Sequence, residues 1–397
     1  PVVPVHSPVP AAPVAAPAAT SPAVSTIPFS TDHARASLDR LLRLAADRGA
    51  SALYLVSQAR PALRVDGDLQ VLDRESPLVS REIEGMVLSV MPPAARQALS
   101  TSAGTEFAMD MAGLGRVRCV AHRDHRGPGA IFRMVPVRSI SASHLGLSRD
   151  IQALATEVEG LVLIASPTAN GKSTLVASLV DQINRTRGVH VVTVEREIIA
   201  VHDQGCAMVS QFEARAGAAE MATLARLALR EDPDVLVLDD VQSPDLAAVA
   251  LQAAPGRLVI ASIRARSAAE AVVRFLDFVP PAHRYQAQRE LADALVGVVA
   301  QVLVRRNADG RAAAREVLLN TPAAAAAIAD GQFGHLLEIM EAGRATGMVL
   351  MKVPLAGLVQ SGQVDAKDAW RATADRAGLI SLFERQGLDT SFAAGLA

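Results

Sequence analysis

The stretch SPTANGKSTL, residues 166–175, constrains the fold of this chain more than any other. It follows a short apolar run, GLVLIASP (160–167). It opens STLVASLVDQINRTRG (173–188), where Leu175, Val176, Leu179, Val180 and Ile183 recur at helical spacing. A buried strand, a tight turn and an amphipathic helix, in that order, aim backbone N–H groups and a helix N-terminus at one point. That is a cradle for phosphate oxygens. The pattern G-x-x-x-x-G-K-[ST] gives Lys172 to the β- and γ-phosphates of a nucleotide and the Ser173 hydroxyl to Mg²⁺. Ser166, Thr168, Ala169, Asn170, Gly171 and Thr174 complete the loop. Ser166 stands where the pattern has glycine, which a negative φ tolerates. Asn170 accepts a left-handed turn better than most residues, and Ala169 is the awkward residue if one is needed there. The alternative is a decayed loop kept for structure.

The same grammar continues downstream. VHVVTVE (189–195), DVLVLDD (234–240), GRLVIASI (256–263) and REVLLN (315–320) read as strands. AAEMATLARLALRED (218–232), SPDLAAVALQAA (243–254) and SAAEAVVRFLDFV (267–279) read as helices, and 283–304 begins as helix and ends as strand. Strands alternating with helices predict an α/β core over 159–320, a parallel sheet covered on both faces. Asp239 and Asp240 leave a buried strand, expected beside the loop. There Asp239 helps hold a metal and Asp240 positions the attacking water. The bland alternative is two acids ending a strand at the surface.

Upstream, residues 31–136 read as a small α/β module, with a helix ended by Gly49, a strand pair turning at Asp66-Gly67 and a helix that ends before Pro92-Pro93; 137–158 reads as a connector with a short helix, and 321–397 as an Ala-rich helical region. The first thirty residues hold eight prolines and read as an extended, disordered tail. A net charge of −2 and 3% aromatics argue against direct nucleic-acid binding. Cys119 and Cys206 lack disulfide-like or metal-like spacing and read as free thiols of a reducing cytosol. No stretch is long and apolar enough for a membrane-spanning helix.

HVVTVEREI, ALREDPDVLVLDD, GRLVIASIRARSAAEAVVRFLDFVP and AREVLLNTPA follow the loop in order. Together they resemble the type II/IV secretion ATPases, and within them the type IV pilus retraction ATPases. RGASALYL, LRVDGDL and GRVRCVAHRDHRGPGAIFRMVP resemble that family's N-terminal PAS-like domain. The resemblance, from about residue 33 to about 365, implies a RecA-like P-loop core, a smaller PAS-like domain and a helical C-terminal region. It further implies a cytoplasmic hexamer, peripheral at the inner membrane, that binds ATP and Mg²⁺ and moves a membrane platform protein. In the family, arginines of the 116–133 segment reach the nucleotide phosphates; of the five here, Arg123, Arg126 and Arg133 are chosen for that role.

The departures from the family fall on catalytic positions. Its Gly-Glu strand end is Asp239-Asp240, its Glu-Asp-Pro acidic box is Glu195-Arg196-Glu197, and its histidine is Arg264. The family segment AIRNL is replaced by AAAAAI (323–328). Asp240, Asp239, Glu195 and Arg264 are therefore the catalytic candidates. The set points to ATP binding with reduced hydrolysis, in a homo-hexamer or a ring shared with an active paralogue. The competing readings are a nucleotide-independent scaffold subunit and a full-speed motor in which Arg264 and Asp240 work as a pair.

Overall fold

Where a strand alternates apolar and polar residues, it buries one face only. The N-terminal sheet is built this way. The computed structural model describes residues 31–65, 67–134, 141–214, 217–308 and 310–392. Strands β1 (Ala52–Val56), β2 (Ala62–Val65), β3 (Asp68–Val71), β4 (Gly104–Met111), β5 (Gly115–Asp124) and β6 (Gly127–Met134) form an antiparallel sheet of order β3-β2-β1-β6-β5-β4. Val117, Cys119 and Ala121 of β5 pack with Leu38, Leu41 and Leu42 of the Thr31–Asp47 helix and Ile83 and Met86 of the Ser80–Val90 helix. The intervening Arg116 and Arg118 therefore face away from that core. Gly49, at φ +63°, follows the first helix, as the sequence suggested. The Pro92-Pro93 stop also starts something unexpected: Pro93 occupies the first turn of a further helix, Pro93–Thr101. Asp66 of the expected Asp66-Gly67 turn lies outside the described residues, as do the extended tail read over 1–30 and residues 135–140 at the head of the connector.

The second sheet contains β7 (Gly160–Ala165), β8 (His190–Glu195), β9 (Met208–Glu213), β10 (Val235–Leu238), β11 (Leu258–Ile263), β12 (Leu295–Arg305) and β13 (Arg311–Leu319). Its order is β13-β12-β7-β11-β10-β8-β9, parallel throughout except for β13. The central strands are buried on both faces, which is why they read as uninterrupted apolar runs. On one face Leu161 and Leu163 pack with helices Ala218–Arg230, Pro244–Ala253, Ala268–Asp277 and Arg284–Ala294. On the other, Val162 and Ile164 meet Leu175, Leu179 and Ile183 of the Lys172–Thr186 helix. Helices Leu336–Ala342, Lys352–Gln360 and Arg376–Gln386 extend the first core through Leu336, Leu355 and Phe383. Among the described residues, no helix is long and apolar enough to cross a membrane.

β11 lies between the loop strand β7 and the acidic strand β10, so the two are not neighbours. Because β7, β8, β10 and β11 run parallel, their C-terminal ends still gather at one edge, and the loop, Glu195, Asp239, Asp240 and Arg264 all emerge there.

Candidate nucleotide site

The loop between β7 and the Lys172–Thr186 helix is held from beneath and from one side. Ser166 is buried; its N–H donates to the Ile263 carbonyl at 3.2 Å and its hydroxyl to the Pro167 carbonyl at 2.8 Å. It is not among the residues with positive φ, so its β-carbon carries no strain. Ala169 does adopt a left-handed conformation, φ +61°, as does Gly171 at φ +76°. The strained turn is clamped by the antiparallel pair at the sheet edge. Arg311 donates to the Ala169 carbonyl at 2.9 Å, Gln301 to the Asn170 carbonyl at 2.8 Å, and the Leu303 N–H to Asn170 Oδ1 at 2.8 Å. A β-carbon on Gly171 would stand 2.8 Å from Gln301 Nε2, so glycine is needed there for space as well as for φ. Asn170 thus points at β12, while Thr168, Ala169, Gly171, Lys172, Ser173 and Thr174 line an open cleft of about 590 Å³.

Across the cleft stands Asp240, also left-handed at φ +50°, with 6% of its side chain exposed. Its Oδ1 accepts from Lys172 Nζ at 2.7 Å, and its Oδ2 from Arg264 at 2.8 Å, Arg196 at 3.2 Å and Gln242. Its N–H donates to Ser262 Oγ at 2.7 Å, and that hydroxyl donates to Asp239 Oδ1 at 2.7 Å. Burial pushes the Asp240 carboxyl up, but Lys172 and Arg264 outweigh it and hold it below the usual carboxylate range. Two residues that depart from the family pattern, Arg196 and Arg264, therefore converge on a third.

Glu195 sits behind this cluster rather than in the cleft wall. Its Oε1 accepts from Thr193 Oγ1 at 2.7 Å and Gln211 Nε2 at 3.1 Å. Burial raises its pKa to about 7 against the pull of those donors, and Asp239 and Glu213 add to the rise.

Of the sequence-chosen arginines, Arg133 lines the cleft. Arg123 pairs with Glu84 at 2.5 Å, and Arg126 stands exposed on the Asp124–Gly127 turn. Sequence reasoning passed over Arg118, which does line the cleft. Strand parity was the available signal: Arg118 is the cross-strand partner of Arg133, whereas Arg123 has the parity of the buried Cys119 and Ala121. Arg118 lies 2.5 Å from Glu106 and 3.3 Å from both Glu197 and Glu213, and Arg116 lies 3.5 Å from Glu213. The pairs with Glu197 and Glu213 join the N-terminal sheet to the core, and the pair with Glu106 stays within that sheet. Burial opposes the charge on Arg118, but the three carboxylates raise its pKa above the ordinary value.

The cleft fits a divalent cation poorly. A magnesium site presents hard oxygen ligands and retained waters. Here both oxygens of Asp240 accept from cations, Asp239 Oδ1 accepts a hydrogen bond from Ser262, and Ser173 contributes one hydroxyl to the wall. Among the described residues, no group of three His, Cys, Asp or Glu side chains is placed to hold a metal. A larger cavity, about 1010 Å³, opens at the opposite sheet edge by Gly160 and Leu295, and it lacks the loop and its cations.

Residues 132–368 match the family described as Type II/IV secretion system protein. The chain is 30% identical over 333 residues to the type IV pilus retractation ATPase PilT of Pseudomonas aeruginosa, covering 84% of this chain and 96% of that one. It is 30% identical over 356 residues to the type IV pilus ATPase PilU of the same organism, covering 89% and 92%. The crystal structure of the pilus retraction motor PilT with bound ADP superposes with a TM-score of 0.78 at 29% identity, over 87% of this chain and 98% of that one. The Legionella pneumophila ATPase DotB shares the fold, with a TM-score of 0.74 at 22% identity over 84% and 94%. The architecture is accordingly a RecA-like P-loop core with a PAS-like α/β domain before it and a helical region after it. With the loop, the parallel sheet and these relatives in agreement, the chain belongs to the type II/IV secretion system protein family, in its branch of type IV pilus retraction ATPases.

Proposed function

We propose that this chain is an ATP-binding subunit of a type IV pilus retraction machine or a related secretion machine, with hydrolysis slow enough that it serves as an accessory. The observation that carries the reading is the convergence of Lys172, Arg196 and Arg264 on Asp240. Phosphate binding needs the loop amides and cations, and both are present. Fast turnover needs a carboxylate free to orient water. Asp240 is shorter than the family's glutamate by one C–C bond, about 1.5 Å, and in the nucleotide-free chain its lone pairs are occupied. A misplacement of about 1 Å costs roughly a hundredfold in rate. Arg264 presents only donors and cannot act as a base.

The assembly in this reading is a hexameric ring, of one chain or shared with an active paralogue. It lies in the cytoplasm against the inner membrane, where it acts on the platform protein and not on nucleic acid. The experiment is steady-state phosphate release by the purified chain beside Lys172→Ala and Asp240→Glu, with and without an active paralogue. Turnover at ordinary motor rates that survives Lys172→Ala refutes the reading. One observation favours the scaffold alternative: Lys172 is already engaged by Asp240. Calorimetry separates the two, since a scaffold shows no heat at millimolar ATP.

A further inference from the structure

We propose that the cleft binds ATP without requiring a divalent cation, because Lys172, Arg196 and Arg264 supply as fixed side chains the charge that a metal would bring. The inference rests on the reading that ATP is the ligand of this cleft. A metal ion in a P-loop site bridges phosphate oxygens and neutralises them. Here three cations surround one carboxylate, which leaves a surplus of positive charge beside the loop. Arg196 and Arg264 keep 52% and 45% of their side chains exposed, so both can turn from Asp240 to an entering phosphate. Their planar forks suit phosphate oxygens, and Lys172 opens the helix whose N-terminus faces the same point.

The surrounding charges agree with this assignment. Arg133 adds a further cation to the wall, while Arg118 is already matched by Glu106, Glu197 and Glu213. Two of the three acids that would serve a metal are engaged elsewhere, and the third spends one oxygen on a neighbouring hydroxyl. Asp240 is occupied by its cations, Asp239 is bonded to Ser262, and Glu195 is held behind the cluster by Thr193 and Gln211. Arg196 stands where the family has an acid. The same substitution that disfavours a cation favours the bare polyanion.

The test is calorimetric titration of the full chain with ATP, once in excess Mg²⁺ and once in EDTA. The expected dissociation constants agree within about threefold. In Arg196→Asp/Arg264→His, which restores the family's residue types, chelation weakens binding more than about tenfold. If that double variant does not fold, Arg264→His alone gives the same comparison. A wild-type affinity that falls more than about tenfold in EDTA overturns the inference and leaves ATP as the ligand. A folded variant as indifferent to EDTA as the wild type overturns the assignment to these arginines. Absence of binding in both buffers overturns the inference together with the function it rests on.

Discussion

Replacing Asp240 by Asn tests the organisation of the site most directly. The substitution keeps the side-chain volume and suits the left-handed backbone at φ +50°, since Asn tolerates that region about as well as Asp. It removes the charge and turns one acceptor into a donor. The amide oxygen can still accept from Lys172, but the new NH₂ faces Arg196, Arg264 and Gln242, all donors. With side-chain exposures of 6% and 12%, Asp240 and Lys172 form a nearly buried pair. Breaking such a pair by removing one partner costs about 3–5 kcal/mol. The two arginines are about half exposed and screened, so each adds under about 1 kcal/mol. One acceptor is retained, so the net loss in the nucleotide-free chain is about 2–4 kcal/mol. That lowers the melting temperature by about 5–10 °C. Binding should change in the opposite sense. Lys172 no longer has to leave a carboxylate to reach a phosphate, so the dissociation constant for ATP falls roughly tenfold, about 1.4 kcal/mol. Thermal unfolding with and without ATP reads both effects, and the ATP-induced rise is larger in the variant. An unchanged melting temperature without nucleotide, or a smaller ATP-induced rise than in the wild type, refutes Asp240 as the hub of the cluster.

Two further outcomes follow from the surroundings of the hub. Ala169→Gly relieves a β-carbon held at φ +61° and stabilises the chain by about 1 kcal/mol, which a rise of a few degrees in melting temperature detects. Glu195→Gln changes the pH dependence of stability. The folded Glu195 carboxyl has its pKa raised from 4.5 to about 7, so its contribution is fully present below pH 4.5 and is lost as pH climbs through 7. That loss is at most about 3 kcal/mol. Glutamine can still accept from Thr193 and Gln211, so the variant's melting temperature declines less between pH 5 and 7 than the wild type's. Parallel curves would remove Glu195 as the source.

What the sequence disclosed and what it withheld divide along physical lines. The loop, its strand and its helix were legible because three local signals coincide there: a buried run, turn residues, and apolar positions at helical spacing. The central strands were legible because burial on both faces leaves a continuous apolar record. β9 left no such record. It is an edge strand with one fully exposed residue, Met208, and five partly exposed ones, so its sequence MVSQFE shows no clear periodicity. The Pro93–Thr101 helix was hidden because a double proline reads equally as a stop and as a start. The intervening β11 was hidden because strand order is a non-local property. Arg118 was recoverable from strand parity alone, once Arg133 had been chosen.

The departures from the family pattern gain meaning only when placed together in space. Read singly along the chain, an aspartate for a glutamate, an arginine for an acid and an arginine for a histidine are three separate losses. In the folded chain the three side chains touch, with Arg196 and Arg264 on the same oxygen of Asp240. That carboxylate is an ion-pair partner of both arginines. A carboxylate as buried as Asp240 would in turn carry a large desolvation penalty without them. Random decay of a catalytic site has no reason to bring both guanidinium groups onto one buried carboxylate oxygen. Asp240 holds the three cations together in the nucleotide-free chain, and the positive charge it leaves over is what a polyanion site requires. On the proposed function, the shift is from a site that presents carboxylates to a metal and a water towards one that presents cations to a polyanion. On that view, restoring a single family residue should not recover turnover. Asp240→Glu alone would push a longer carboxylate into two guanidinium groups, and only the three reversions made together would return the geometry that hydrolysis needs.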